Sequence, residues 1–119
     1  MAGVAWREHA GQPYLDVDYR GCDGPDMLTV ARASVDDLER APECSLVLVD
    51  ITDATVDRDW LYYVRGANNA VMGPKRLRTA VVGVTGVKAA MFRGFLAASS
   101  VKARPFPTRE KALAWLVAQ

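Results

Sequence analysis

Tyr14-Leu15-Asp16-Val17-Asp18-Tyr19 alternates apolar and acidic residues, the two-residue period of a strand with one solvated face. Gly21, Gly24 and Pro25 interrupt it, and from about Asp26 the spacing lengthens. Leu28, Ala31, Val35 and Leu38 recur at helical intervals, and Pro42 stops that helix. Ser45-Leu46-Val47-Leu48-Val49-Asp50 is a continuous apolar run, the pattern of a central parallel strand buried on both faces. Asp57 to about Met72 reads as a second helix, with Leu61, Val64 and Met72 apolar and Gly73-Pro74 closing it. Thr79 to Val84 is a further buried strand, and Thr85 or Gly86 opens a mostly apolar helix from about Val87 to Ala98. Val101 to Phe106 forms a short strand. Thr108 then caps a last helix that carries Ala112, Trp115 and Leu116 on one face. Trp6 to His9 adds an antiparallel edge strand.

Strand and helix therefore alternate, which predicts an α/β fold: a mostly parallel sheet of four to five strands with helices packed on it. No repeat, linker or low-complexity stretch divides residues 1–119, so one domain is expected. A chain of 119 residues, 50% hydrophobic, buries about two thirds of the surface it would expose unfolded. There is no apolar run of about 18 residues, which excludes a helical membrane span. The first residues lack a basic segment followed by an apolar one, and two cysteines cannot staple a small secreted scaffold. Both features predict a cytoplasmic protein.

Charge is divided unevenly. Residues 1–59 carry five basic and thirteen acidic residues, whereas residues 60–119 carry ten basic residues and one acid, Glu110. Halves that interleave in space neutralise one another, and no run of five like charges occurs. With no basic helix and no basic strand interleaved with aromatics, nucleic acid is not an expected partner.

Three stretches carry a family resemblance: the Leu46–Asp50 strand, Ala80-Val81-Val82-Gly83 with its following helix, and Phe106-Pro107-Thr108-Arg109-Glu110-Lys111-Ala112-Leu113-Ala114-Trp115-Leu116. The last resembles the ending of the SpoIIAA-like branch of STAS domains (sulfate transporter and anti-sigma-factor antagonist). The resemblance implies a single STAS-like domain over residues 1–119 and offers two roles. STAS antagonists are switched by phosphorylation of a hydroxyl residue directly after an Asp, at the start of the helix following the buried strand. Here Asp57 occupies the Asp position and Arg58 the hydroxyl position, and an Arg cannot accept a phosphoryl group. Phospho-switching is thus disfavoured, while binding of a protein partner survives. The SpoIIAA-like branch also resembles CRAL-TRIO-type lipid carriers in fold, which implies apolar ligands or membrane surfaces.

The residues themselves offer few catalytic arrangements. His9 is the single histidine, and no Ser or Cys pairs with it in the sequence as a base-activated nucleophile. Cys22 and Cys44 match no zinc spacing. Asp50, Asp53, Asp57 and Asp59 follow a parallel strand, where α/β folds place ligands, but they fit no calcium loop and also suit turns and helix starts. No catalytic residue, metal or cofactor is assigned. Gly83-Val84-Thr85-Gly86-Val87-Lys88 joins a buried strand to a helix start, where free amides and the Lys88 charge suit an anion; a plain tight connection is the alternative.

The helix after that turn has more apolar surface than one sheet contact consumes. With Val87, Ala90, Met91, Gly94 and Ala98 facing the sheet, Phe92, Phe95 and Leu96 fall elsewhere. Such an excess implies a second packing layer, a dimer contact, a ligand cavity or a membrane contact. Trp60, Tyr62 and Tyr63 on the preceding helix suit a half-wet interface. The expected function is a non-catalytic binding module holding a small apolar or lipid-like anionic ligand between helices 57–72 and 87–98. Trp60, Tyr63, Phe92, Phe95 and Leu96 would form its walls, and Gly83, Thr85, Gly86 and Lys88 its polar end. The alternative is a protein–protein regulatory adaptor or homodimer that uses the aromatic helix face.

Overall fold

The computed structural model describes residues 3–97 and 103–118, without the side chains of residues 68, 72, 87 and 95–97. Strands β1 (Gly3–His9) and β2 (Gln12–Asp18) form an antiparallel hairpin, in register from Gly3 opposite Asp18 to His9 opposite Gln12. Its turn, Ala10-Gly11, has positive φ at both residues, 50° and 78°, as a tight hairpin between twisted strands requires. The chain continues through α1 (Gly24–Arg40), β3 (Leu46–Asp50), α2 (Arg58–Ala67), a π-helical turn (Asn68–Met72) and the single turn α3 (Gly73–Lys75). Then follow β4 (Arg78–Val82), α4 (Val87–Ala97), β5 (Ala103–Phe106) and α5 (Arg109–Val117). The strands lie in the order β1-β2-β3-β4-β5, with β2 to β5 mutually parallel.

Helical structure does not end at Gly73-Pro74, as the sequence suggested. It passes through the π-turn to Lys75, because Pro74 sits within the first turn of α3, where its missing N–H costs nothing. Lys75 Nζ then donates to the carbonyls of Glu39 (2.6 Å) and Ala41 (2.7 Å), fastening this segment to the end of α1. Ala98, Val101 and Lys102, expected to end α4 and begin β5, lie outside the described residues.

Side chains alternate across each strand, so the sheet has two distinct faces. On one, Leu15, Val17, Val47 and Val81 pack against Met27, Ala31 and Leu38 of α1, Trp60 of α2 and Phe92 of α4. On the other, Tyr14, Leu46, Leu48, Ala80 and Val82 pack against Ala112 and Leu116 of α5. The second face was expected to be solvated along β2. Instead Asp16 and Asp18 are only 4% and 7% exposed, because the start of α5, Arg7 of β1 and Arg20 just beyond β2 cover them.

Helix α5 is defined at both ends. Thr108 Oγ1 accepts from the Lys111 amide, and Glu110 lies in the first turn, where a negative charge offsets the helix dipole. Trp115 packs against Phe106 at 5.3 Å, and the Arg78 guanidinium lies 4.0 Å from the Trp115 ring centre. Arg78 also donates to the Trp115 carbonyl (2.6 Å), and Gln12 donates to that of Val117 (3.1 Å). The residues that carry the family resemblance therefore close this face of the sheet.

Helix α4 is turned differently from the expectation. Lys88, Met91 and Phe92 face the body of the protein, while Ala90 and Gly94 are exposed. The rotation has a simple cause: Met91 and Phe92 offer far more apolar area for burial than Ala90 and Gly94.

Candidate functional site

Among the described residues, α4 has little close backbone packing on any other element and reaches the core through long side chains. A space of about 80 Å³ is left beneath it. Its floor is Val17, Val47, Val49 and Val81 of the sheet, and Val35 and Leu38 of α1 close one side. Trp60, Leu61 and Val64 of α2 form a wall, with Lys88, Met91 and Phe92 of α4 opposite. Apolar residues dominate this lining, since strand alternation brings Val17, Val47, Val49 and Val81 to this face.

The polar side chains at the cavity are those of Tyr19, Ser34, Trp60, Thr79 and Lys88. Trp60 stands edge-on to Tyr19, ring centres 5.4 Å apart and planes at 85°. The buried Trp60 Nε1–H lies beside the Tyr19 hydroxyl, and no acceptor meets it in full hydrogen-bonding geometry. Burial pushes the Tyr19 hydroxyl up to about 12, outweighing the opposing influence of nearby Trp60 and Ser34, so it remains protonated. Lys88 Nζ donates to the Ile51 carbonyl at 2.9 Å. Ser34 Oγ donates to the Ala31 carbonyl at 2.7 Å. Tyr19, Ser34 and Thr79 were not among the residues singled out from the sequence. Each is a single polar position inside an apolar element, a weak signal that becomes informative only once the walls are assembled.

Of the residues expected to hold a ligand, Trp60, Lys88 and Phe92 come together at the cavity. Tyr63 does not line it; its ring lies 5.8 Å from the Arg32 guanidinium and packs against the same core from outside. Gly83, Thr85 and Gly86 also lie away from it. Gly83 has φ +93°, and a Cβ there would stand 2.5 Å from the Thr52 backbone nitrogen, so glycine permits the close approach of two strand ends. Thr85 and Gly86 are exposed, and their carbonyls accept the amides of Lys88 and Ala89 (both 3.1 Å). Those two amides are thereby taken within the turn. The side chains of Phe95 and Leu96 lie outside the described ones.

The Asp50–Asp59 segment does not converge. Asp50 faces α5, whereas Asp57 Oδ1 accepts from the Trp60 amide at 2.8 Å and caps α2. Among the described residues no group of His, Cys, Asp and Glu is arranged to hold a metal ion. Arg58 is exposed at the first position of α2. His9 is exposed at the end of β1.

A second polar assembly occupies the opposite face. Asp18 and Asp50 are register partners, and Asp16 lies one pleat back on β2. Arg109, the first residue of α5, donates to Asp16 Oδ2 (2.7 Å) and Asp50 Oδ2 (2.9 Å). Arg20 forks onto Asp18, with Nη2 2.7 Å from Oδ2, and Arg7 reaches Asp16 Oδ2 at 2.9 Å. Burial pushes the Asp18 carboxyl up, but its Arg20 bonds outweigh that and hold it below the ordinary range. Asp50 behaves likewise: burial raises it, and the Thr52 and Arg109 hydrogen bonds lower it further. With its three carboxylates each met by a guanidinium, this assembly fixes the docking of α5.

No protein-family model and no curated protein matches the chain. Among the described residues, no helix is long and apolar enough to cross a membrane.

Proposed function

We propose that this chain is a cytoplasmic, non-catalytic binding module of the SpoIIAA-like STAS type, holding a small apolar or anionic ligand between α2 and α4. One observation carries the reading: the apolar space of about 80 Å³ enclosed by those helices and the sheet. Trp60 and Phe92 supply aromatic wall and Lys88 a cationic edge. The loosely packed α4 is the natural gate, since admitting a ligand there disturbs side-chain contacts and spares the strand ladder. The strand–helix order and the α5 ending support the STAS-like assignment.

Xenon tests the site directly, because it enters dry apolar cavities. A crystal under xenon pressure is expected to show density between α2 and α4. Val64→Phe, which fills the space, is expected to abolish that density while leaving the circular dichroism spectrum unchanged. A wild-type crystal without xenon there overturns the reading.

A second reading rests on Tyr62, which is 63% exposed on the outer side of α2. An adaptor or homodimer would bury that ring. Native mass spectrometry distinguishes the two: a dimer mass lost in Tyr62→Ser supports the adaptor, and a monomer carrying extra bound mass supports the binding module.

A further inference from the structure

Strand β1 is one edge of the sheet, and among the described residues no strand pairs with its outer side. The hairpin fixes which backbone groups that side offers. A two-residue turn closes on a hydrogen-bonded pair, here His9 and Gln12, and bonded and non-bonded pairs alternate from there. Arg7, Ala5 and Gly3 therefore bond to β2, whereas Glu8, Trp6 and Val4 direct their N–H and C=O groups outward. Pro13 agrees with this phase: it has no N–H and stands opposite Glu8, in a pair that needs none. Trp6, at the middle of the outward set, is 45% exposed.

The two edges of the sheet differ. Strand β5, the far edge, is four residues long and interrupted by Pro105, two devices that blunt strand addition. Strand β1 is seven residues long and has no proline, and its Arg7 charge is already answered by Asp16 at 2.9 Å. Copies of this chain can therefore join edge to edge as a closed two-fold pair, and a growing sheet is blocked at β5. Such a pair sets one residue opposite itself, since side chains across from one another share a face. Centring on Trp6 puts Val4 opposite Glu8 of the second copy, so all three outward residues of each copy bond. Arg7 then faces the small Ala5 of the second copy, where paired strands stand closest. Centring on Arg7 or Glu8 sets like charges face to face, and centring on Ala5 leaves Glu8 with no strand residue opposite.

We propose that the chain pairs with a second copy of itself through β1, antiparallel and centred on Trp6, so that one sheet runs through both copies. The two Trp6 rings then lie side by side on one face and cover each other's exposed surface. This surface does not depend on the cavity beneath α4.

Sedimentation velocity of the full chain from about 5 to 500 µM is expected to show a reversible monomer–dimer equilibrium, because one strand pair is a small interface. Amide exchange at the two ends of that range reads the register. The Ala5 and Arg7 amides are expected to be protected at both ends, and those of Trp6 and Glu8 to slow at least threefold at the high end alone. Glu8→Pro removes an outward N–H that β2 does not use, and Ala5→Lys sets a second cation against Arg7. Each is expected to weaken dimerisation at least tenfold, whereas Tyr62→Ser is expected to leave it within twofold. A chain that stays monomeric over the whole range overturns the proposal, whatever other strand or peptide the edge then accepts. A dimer whose Trp6 and Glu8 amides exchange as fast as in the monomer overturns it too. Should Glu8→Pro fail to fold, the alternation of amide protection in the wild type still decides.

Discussion

On the α5 face of the sheet, Ala112 and Leu116 lie against Leu48 and Ala80, all of them fully buried, and Arg109 ties the helix start to β2 and β3. Across the same strands, Met91 and Phe92 of α4 and Trp60 of α2 border an open space of about 80 Å³. The difference follows from side-chain size. Small residues at Ala80 and Ala112 allow backbone to approach backbone, whereas a helix that meets the sheet through Lys, Met and Phe stands away from it. Close approach leaves no room for a ligand, and standing off creates it. The charges follow the same division. On the α5 face every buried carboxylate has its guanidinium, and on the α4 face Lys88 has none of the described carboxylates.

The largest test of this contrast removes the tie on the closed face. Arg109→Met leaves Asp16 without one guanidinium and Asp50 without its principal one, and is expected to cost about 2–3 kcal/mol at pH 7 in urea unfolding. That range is discounted because the Arg109 side chain is 28% exposed. The variant's deficit is expected to narrow as pH falls toward 4, since carboxyls deprived of their partner take up protons more readily.

Acid titration of the wild type follows with a defined sign. Asp18 and Asp50 have lowered folded-state values, so their stabilisation is complete above the ordinary carboxylate value of about 3.9. It is lost as pH falls through the lower folded values. The urea midpoint is expected to hold from pH 7 to about 5 and to decline below 4.

Enlarging a side chain is expected to have opposite effects on the two faces. Ala112→Val overpacks the closed face and is expected to cost about 1–3 kcal/mol. Val64→Leu, directed at the open space, is expected to stabilise by about 0.5–1 kcal/mol. Thermal melts of the two variants side by side decide this, and a loss in both would show that the space is too shallow to fill. The smallest effect concerns motion without substitution. Amide exchange in α4 is expected to outpace that in α5, because among the described residues α4 has little close backbone packing while α5 is pinned by ion pairs and capped carbonyls.

Much of the architecture was legible along the chain. The alternation in β2, the unbroken apolar runs of β3 and β4, and the Thr108 cap each follow from contacts a few residues long. The stripe of Ala112, Trp115 and Leu116 also followed, since helical spacing alone puts it on one side. The site was legible only in part. Trp60, Lys88 and Phe92 stood out as aromatic or cationic residues on helices with surplus apolar area, but Tyr63 and the Gly83–Gly86 turn looked equally suitable. Nothing in their local spacing reveals that Tyr63 turns toward Arg32 or that Gly83 is needed for the approach of Thr52.

Local pattern by itself determined the order of strands and helices, the apolar valine floor and the capping of α5, because these depend on neighbours within about one turn or one pleat. Tertiary structure decided the rest. Alternating acids in β2 have the period of a solvated face, and it is Arg109, 93 positions from Asp16 and 59 from Asp50, that ties Asp16 and Asp50 to the start of α5. Likewise, α4 could turn either side toward the sheet by its spacing. The choice fell to Met91 and Phe92 because the apolar area they bury is gained only when the strands and α2 are already in place.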